Sequence, residues 1–140
     1  SELVLLVYGK TFMSNCIAYD LLKKGKTVLY QTAPVLLENI IDYKINKNKN
    51  NLPSDFYQNI LDTNLLIIDD LGTENINSMK LTELFTIINT RILNQSTKTI
   101  ISTNLNINDI FNNYEERIGS RIAGFYDIYY FFGDDLRFKR

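Results

Sequence analysis

Apolar residues recur along this chain in two rhythms, one of strands and one of helices. Leu3 to Tyr8 is an unbroken apolar run stopped by Gly9, which predicts a strand buried on both faces. From Thr11 to Lys24, Phe12, Ile17, Ala18, Leu21 and Leu22 fall at helical spacing, and Lys23-Lys24 ahead of Gly25 mark the helix end. Thr27 to Gln31 reads as a second strand. Pro34 opens a helix to about Tyr43, with Val35, Leu36, Ile40 and Ile41 inward. Lys44 to Asn51 is polar and aperiodic, the pattern of an exposed loop, and Ser54 is expected to cap a short helix to about Leu61. Leu65 to Ile68 is the purest buried strand and runs straight into Asp69-Asp70. Ser78 to Leu93 carries Leu81, Leu84, Phe85, Ile88 and Ile92 on one helical face, and Thr97 to Thr103 is a strand ending at Asn104. A short helix capped by Asn108 and running to Asn113, a second from Glu115 to Ile122 and a strand from Asp127 to Phe132 complete the set.

Strands alternating with helices define an α/β domain with a mainly parallel sheet and helices on both faces. In such sheets ligands bind beyond the carboxyl ends of the strands. Gly9-Lys10-Thr11, Asp69-Asp70 and Thr103-Asn104 are each expected just past such an end, on one rim. At 140 residues the chain reads as a single domain, 1–140, whose two ends look cut to domain edges.

Composition narrows the chemistry. Lys and Arg total 15 against 16 Asp and Glu, a net charge of −1, so nucleic acid would have to be met by a local patch and not by bulk charge. A single Cys excludes an intrachain disulfide framework and suits a reducing, cytoplasmic setting. No apolar run is long enough for a membrane span. The absence of His removes Ser-His-Asp and Cys-His catalysis and His-based zinc sites. What remains — carboxylates, Lys, Arg, Asn, Thr and backbone — suits phosphoryl transfer. Richness in Asn, Ile, Lys and Tyr, densest across Tyr43 to Asn51, reads as coding bias.

Strand, Gly9-Lys10-Thr11, helix is the tail of a P-loop, in which the Lys meets the β/γ-phosphates and the Thr hydroxyl binds Mg²⁺. A complete motif places four residues between two glycines, so that backbone N–H groups wrap the phosphates; here Gly9 meets Lys10 directly. Either a deletion has removed the nucleotide loop, or a flexible loop is missing from the written chain. The second is the preferred expectation, because the rest of the site is present. Leu65-Leu66-Ile67-Ile68-Asp69-Asp70 is a Walker B arrangement: Asp69 orients Mg²⁺ through its water shell and Asp70 polarises the attacking water. The plainer alternative is an acidic pair that ends a strand. Asn104 can hold the lytic water or merely cap a turn. Arg117 and Arg121, four apart on a helix, can form an arginine finger or a solvated face paired with Glu115 or Glu116. Cys16 reads as a small core residue. Phe125, Tyr126, Tyr129, Tyr130, Phe131 and Phe132 read as sheet core ahead of a base-stacking surface.

Taken together, Val7-Tyr8-Gly9 with Lys10-Thr11-Phe12, Asn15-Cys16-Ile17-Ala18, Leu66-Ile67-Ile68-Asp69-Asp70-Leu71-Gly72-Thr73-Glu74, Ile88-Asn89-Thr90-Arg91, Ile101-Ser102-Thr103-Asn104-Leu105, Glu116-Arg117-Ile118 with Ser120-Arg121, and Gly133-Asp134-Asp135-Leu136-Arg137 resemble the AAA+ ATPase domain of bacterial helicase loaders of the DnaC/DnaI type, and are similar to the transposon-associated IstB ATPases. The resemblance implies a P-loop NTPase, a three-layer αβα sandwich with a five-stranded sheet in the order 5-1-4-3-2. It implies ATP/ADP and Mg²⁺ as ligands, with Gly9, Lys10 and Thr11 as Walker A, and Thr11 and Asp69 on the metal. Asp69 and Asp70 would be Walker B and Asn104 sensor 1. Arg121 would be the arginine finger, with Arg117 second to it, and Arg137 sensor 2 in cis. It further implies assembly into a ring or spiral, binding to single-stranded DNA, and placement of a hexameric replicative DNA helicase of the DnaB/DnaC type on DNA. Two departures stand out: the P-loop glycines are missing, and so is the amino-terminal region with which loaders dock the helicase. A transposition helper ATPase of IstB type, or a scaffold module without a working nucleotide site, are the other readings.

Overall fold

The computed structural model describes residues 3–7, 10–46 and 52–130. Its elements are β1 (Leu3–Val7), α1 (Lys10–Lys23), β2 (Val28–Thr32), α2 (Ala33–Ile45), α3 (Phe56–Asp62), β3 (Leu65–Leu71), α4 (Ser78–Leu93), β4 (Lys98–Thr103), α5 (Ile107–Phe125) and β5 (Asp127–Tyr130). The strands form one sheet in the order β2-β3-β4-β1-β5, which from the other edge is 5-1-4-3-2, and every pairing is parallel.

β3 shows why its apolar run is continuous. Leu66 and Ile68 join the larger core with α2, α3, α4 and α5, while Leu65 and Ile67 face Ile17, Ala18 and Leu21 of α1. A strand covered on both faces has no polar side to alternate with. The larger core is built from Leu36, Leu37 and Ile40 of α2, Leu84, Ile87 and Ile88 of α4, and Ile110, Ile118 and Ile122 of α5, all essentially without solvent exposure. Burial of each such side chain contributes about 1.5–3 kcal/mol.

Several local expectations shift. Residues Lys44 and Ile45 belong to α2 and not to a loop; residues 47–51 lie outside the described set. The third helix begins at Phe56 with Asp55 before it, and Ser54 instead accepts a hydrogen bond from the Tyr43 hydroxyl on its carbonyl oxygen, at 2.8 Å. Asn106, and not Asn108, caps α5, in a reciprocal capping box with Asp109. The two helices expected beyond it form one element broken at Tyr114 and Glu115. Cys16 is exposed, not core, and so are Leu22 and Val35. Tyr126 is buried, but Phe125, Tyr129 and Tyr130 are about half exposed. β5 is an edge strand that pairs only with β1 in the described sheet, so alternation there does not enclose its side chains. Phe131 and Phe132 lie outside the described residues.

Gly9 and Lys10 are adjacent in the full sequence, β1 ends at Val7 and α1 starts at Lys10. The Tyr8-Gly9 segment, on which both readings of the P-loop turn, lies outside the described residues.

One buried cation locks the sheet to the helices. Arg91 of α4 is 1% exposed. Its guanidinium donates to Ile60 O (2.9 Å) and Leu61 O (3.2 Å) at the end of α3, to Lys98 O (2.7 Å) and to Thr99 Oγ1 (2.8 Å) at the start of β4. The first two are carbonyls of a helix terminus that no intrahelical donor reaches. Burial lowers the Arg91 pKa to about 10, leaving it protonated at neutral pH. Further along α4, Lys80 bonds Glu38 (2.5 Å) and Lys44 bonds Glu83 (2.7 Å), tying α2 to α4. Arg91→Met strands four acceptors, several of them buried, and should lower unfolding free energy by about 3 kcal/mol or more in urea titrations; a loss below about 1 kcal/mol would contradict the clasp.

Candidate nucleotide site at the carboxyl rim

The acidic pair does not follow β3, as its sequence suggests, but lies inside it. Ile68 pairs with Ile101 and Leu71 with Thr103, so Asp69 and Asp70 together oppose the single residue Ser102. This is a β-bulge, a device that re-aims side chains next to sites. It is made by Asp70, whose φ of 56° lies in the left-handed region that Asp tolerates better than most residues. The strand then continues to Leu71, which is buried.

The bulge separates the two carboxylates. Asp69 is 7% exposed and Asp70 faces solvent. The Tyr30 hydroxyl donates to Asp69 Oδ2, and the Ser102 hydroxyl donates to Oδ1. The Asp70 N–H adds contacts of 3.1 Å to Asp69 Oδ1 and 3.3 Å to Ser102 Oγ. The hydrogen bond to Asp69, then burial and the charges of Asp69 and Asp70, push the Tyr30 phenol up to about 12. Thr103 donates to Leu71 O at 2.6 Å and accepts from the Leu105 N–H at 3.0 Å, fixing the chain on either side of Asn104, which is exposed immediately after β4.

After the pair the chain turns sharply. Gly72 has φ +114°, and a Cβ there would come within 3.0 Å of Leu105. The Thr73 hydroxyl donates to Asp70 O at 2.9 Å, and the Gly72 N–H to Glu74 Oε2 at 3.0 Å. The other oxygen of Glu74 accepts from the hydroxyl of the buried Tyr114. Burial and this carboxylate hold the Tyr114 phenol far above its ordinary range.

Among the expected site residues, the fold brings Asp69, Asp70 and Asn104 to neighbouring strand ends. β1 pairs with β4 up to Val7–Thr103, so the start of α1 at Lys10 is set on the same rim. The side chains of Lys10 and Thr11, and all of Gly9 and Arg137, lie outside the described residues. Arg117 and Arg121 sit on α5 beyond its break. Arg117 bonds Glu115 at 3.2 Å and lies 4.5 Å over the Phe85 ring, while Arg121 lies 5.9 Å over that of Phe125. The local ion pair with Glu115, one of the two sequence alternatives, is thus present. Tyr30 and Tyr114 were not singled out by sequence, and Ser102 and Glu74 stood only within matched motifs with no role given, since spacing along one strand does not reveal a partner across others.

Among the described residues no group of three or more Asp, Glu or Cys side chains could cage a metal. The donors present suit a cation that takes one or two carboxylates and completes its shell with water and phosphate, as Mg²⁺ does. On the phosphate side, the N-terminus of α1 meets the rim, and a helix N-terminus attracts anions.

The fold is an α/β fold with a parallel sheet, the fold of AAA+ P-loop NTPases. The family model for IstB-like ATP binding proteins matches residues 4–118, and the chain belongs to that family. Comparison with curated proteins gives no significant match. Among solved structures the chain is similar to a DNA replication initiation factor (TM-score 0.80, 19% identity), covering 99% of this chain and 42% of that one. It is also similar to the DnaC helicase loader (TM-score 0.70, 20% identity, 92% of this chain and 76% of that one) and to DnaI (TM-score 0.72, 20% identity, 95% and 71%). At such identities the likeness is one of fold.

The hydrogen bond to Asp69 is checked by titration. With a raised phenol pKa, its contribution to stability is complete below about pH 10 and is lost as pH rises through about 12. Among the nine tyrosines, Tyr30→Phe should remove absorbance change near pH 12 and leave the change near pH 10 intact; loss of a component near pH 10 would contradict the contact.

Proposed function

We propose that residues 1–140 are the AAA+ ATPase domain of a cytoplasmic protein that places a hexameric replicative DNA helicase on single-stranded DNA. The observation that best supports this reading is the rim itself: a buried Asp69, an exposed Asp70 aimed by a bulge, Asn104 on the next strand and a helix start beside them. Lys10 neutralises the β/γ-phosphates, and Gly9 and the first turn of α1 add N–H donors. Thr11 and Asp69 hold Mg²⁺, Asp69 through water. Bound Mg·ATP supplies a polarised γ-phosphorus and a charge-neutralising cation. Asp70 polarises the attacking water, and Asn104 holds that water in line. Arg121, with Arg117 second to it, reaches a neighbouring subunit's γ-phosphate in a ring or spiral, and Arg137 acts in cis. The net charge of −1 supports DNA contact in a channel shared between subunits over a broadly basic surface.

The direct Gly9-Lys10 junction in the sequence favours one second reading, a scaffold module that keeps the assembly surfaces without a working nucleotide site. Calorimetry with Mg·ADP separates the two. On the lead reading the chain binds, and Lys10→Ala weakens binding roughly 10- to 100-fold by losing a charge-assisted bond. No binding by the unaltered chain, restored by a Gly-rich insertion between Gly9 and Lys10, would establish the second. Arg121→Ala should leave ADP affinity unchanged and cut turnover of the assembled protein by about 10³-fold; an equal fall in the monomer's basal rate would place Arg121 in cis. Recovery of the replicative helicase on the full-length protein supports the loader, and recovery of a transposase in its place would assign the IstB-type helper role.

A further inference from the structure

The break in α5 has a specific mechanical setting. Glu115 adopts φ +69°, a conformation rare for residues other than Gly, Asn and Asp. Side chains hold it from both directions. Before the break, Tyr114 is 1% exposed and its hydroxyl is bound to Glu74. After it, Gly119 lies so close to Phe111 that a Cβ would stand 2.7 Å from the ring, which fixes the angle between the two halves of the helix. An unbroken helix would carry Arg117 and Arg121 along the axis of the first half; the break redirects both. The other end of the contact is just as constrained. Glu74 accepts the Gly72 N–H, and the Thr73 hydroxyl donates to the backbone carbonyl of Asp70, so the turn after the acidic pair is bonded both to the backbone of Asp70 and, through Glu74, to the break.

We propose that the Glu74–Tyr114 hydrogen bond is a positioning contact that ties the orientation of Arg117 and Arg121 to the turn after the paired carboxylates. It rests on the ATPase reading, in which these arginines face a neighbouring subunit's nucleotide. Glu74 and Tyr114 touch no substrate; they act through the half-helix they hold. A shift of the turn that follows Asp70 then reaches the two arginines through this contact.

Hydrogen exchange of the full chain, read by mass spectrometry, tests this without nucleotide. Tyr114→Phe and Glu74→Ala should each speed exchange in residues 115–123 roughly 2- to 10-fold, the worth of one hydrogen bond, with peptides of β3 and β4 unchanged. The double variant should be no faster than either single one, and Glu74→Gln, which keeps an acceptor, should restore most of the protection. In the assembled protein the same variants should lower kcat and leave KM for ATP unchanged. Additive effects, or loosening spread equally over the sheet, would overturn the contact. Flat exchange overturns the contact too, and faster exchange with normal turnover overturns the coupling alone. A wild-type chain that never turns over ATP overturns the ATPase reading, and with it the role given to the arginines.

Discussion

A carboxylate buried at the end of β3 is the constraint around which the rest of this rim is built. Charge removed from water is costly unless hydrogen bonds replace the lost hydration. Asp69 has them from two different strands, Tyr30 of β2 and Ser102 of β4, with the Asp70 N–H in addition. Three adjacent strands are thereby pinned at their carboxyl ends, where a parallel sheet would otherwise fray into loops. The bulge follows from the same demand, because seating Asp69 between two donors leaves Asp70 one residue out of register and turned to solvent. One acid is held by the protein and the other is turned to solvent.

The opposite end of the sheet is secured differently. Arg91 satisfies carbonyls from α3 and β4 at once, without a carboxylate partner bonded to its guanidinium. A guanidinium presents five donors in a planar fork, and so serves several backbone acceptors that a Lys could not. With that end secured, the carboxyl rim is left to carry the turns and polar side chains of the candidate site.

Much of this was legible in the order of residues. The helix from Ser78 to Leu93 has the bounds its periodicity predicts, and the continuous apolar run of β3 announces burial on both faces. The acidic pair after that run marked the rim. Contacts between distant segments were not legible: Tyr30 lies 39 residues from Asp69, and Glu74 40 from Tyr114. No local pattern distinguishes a strand Tyr that bonds a carboxylate from one that faces solvent. Edge position misled as well. The aromatics of β5 alternate like core residues, but a strand paired on one side only leaves Tyr129 and Tyr130 half exposed. The positive φ at Glu115 had no sequence signal, since it is imposed by Tyr114 and Gly119 from outside the residue itself.

The central claim is that the Asp69 carboxylate serves a divalent cation bound together with nucleotide. Fluorescent-ADP binding measured with saturating Mg²⁺ and again in EDTA tests it most directly, on the wild-type chain and on Asp69→Asn. The account predicts binding at least about tenfold tighter with Mg²⁺, as expected for one charge-assisted contact, and loss of that difference in Asp69→Asn with the fold intact. Binding that ignores Mg²⁺, or no binding at all, would contradict it.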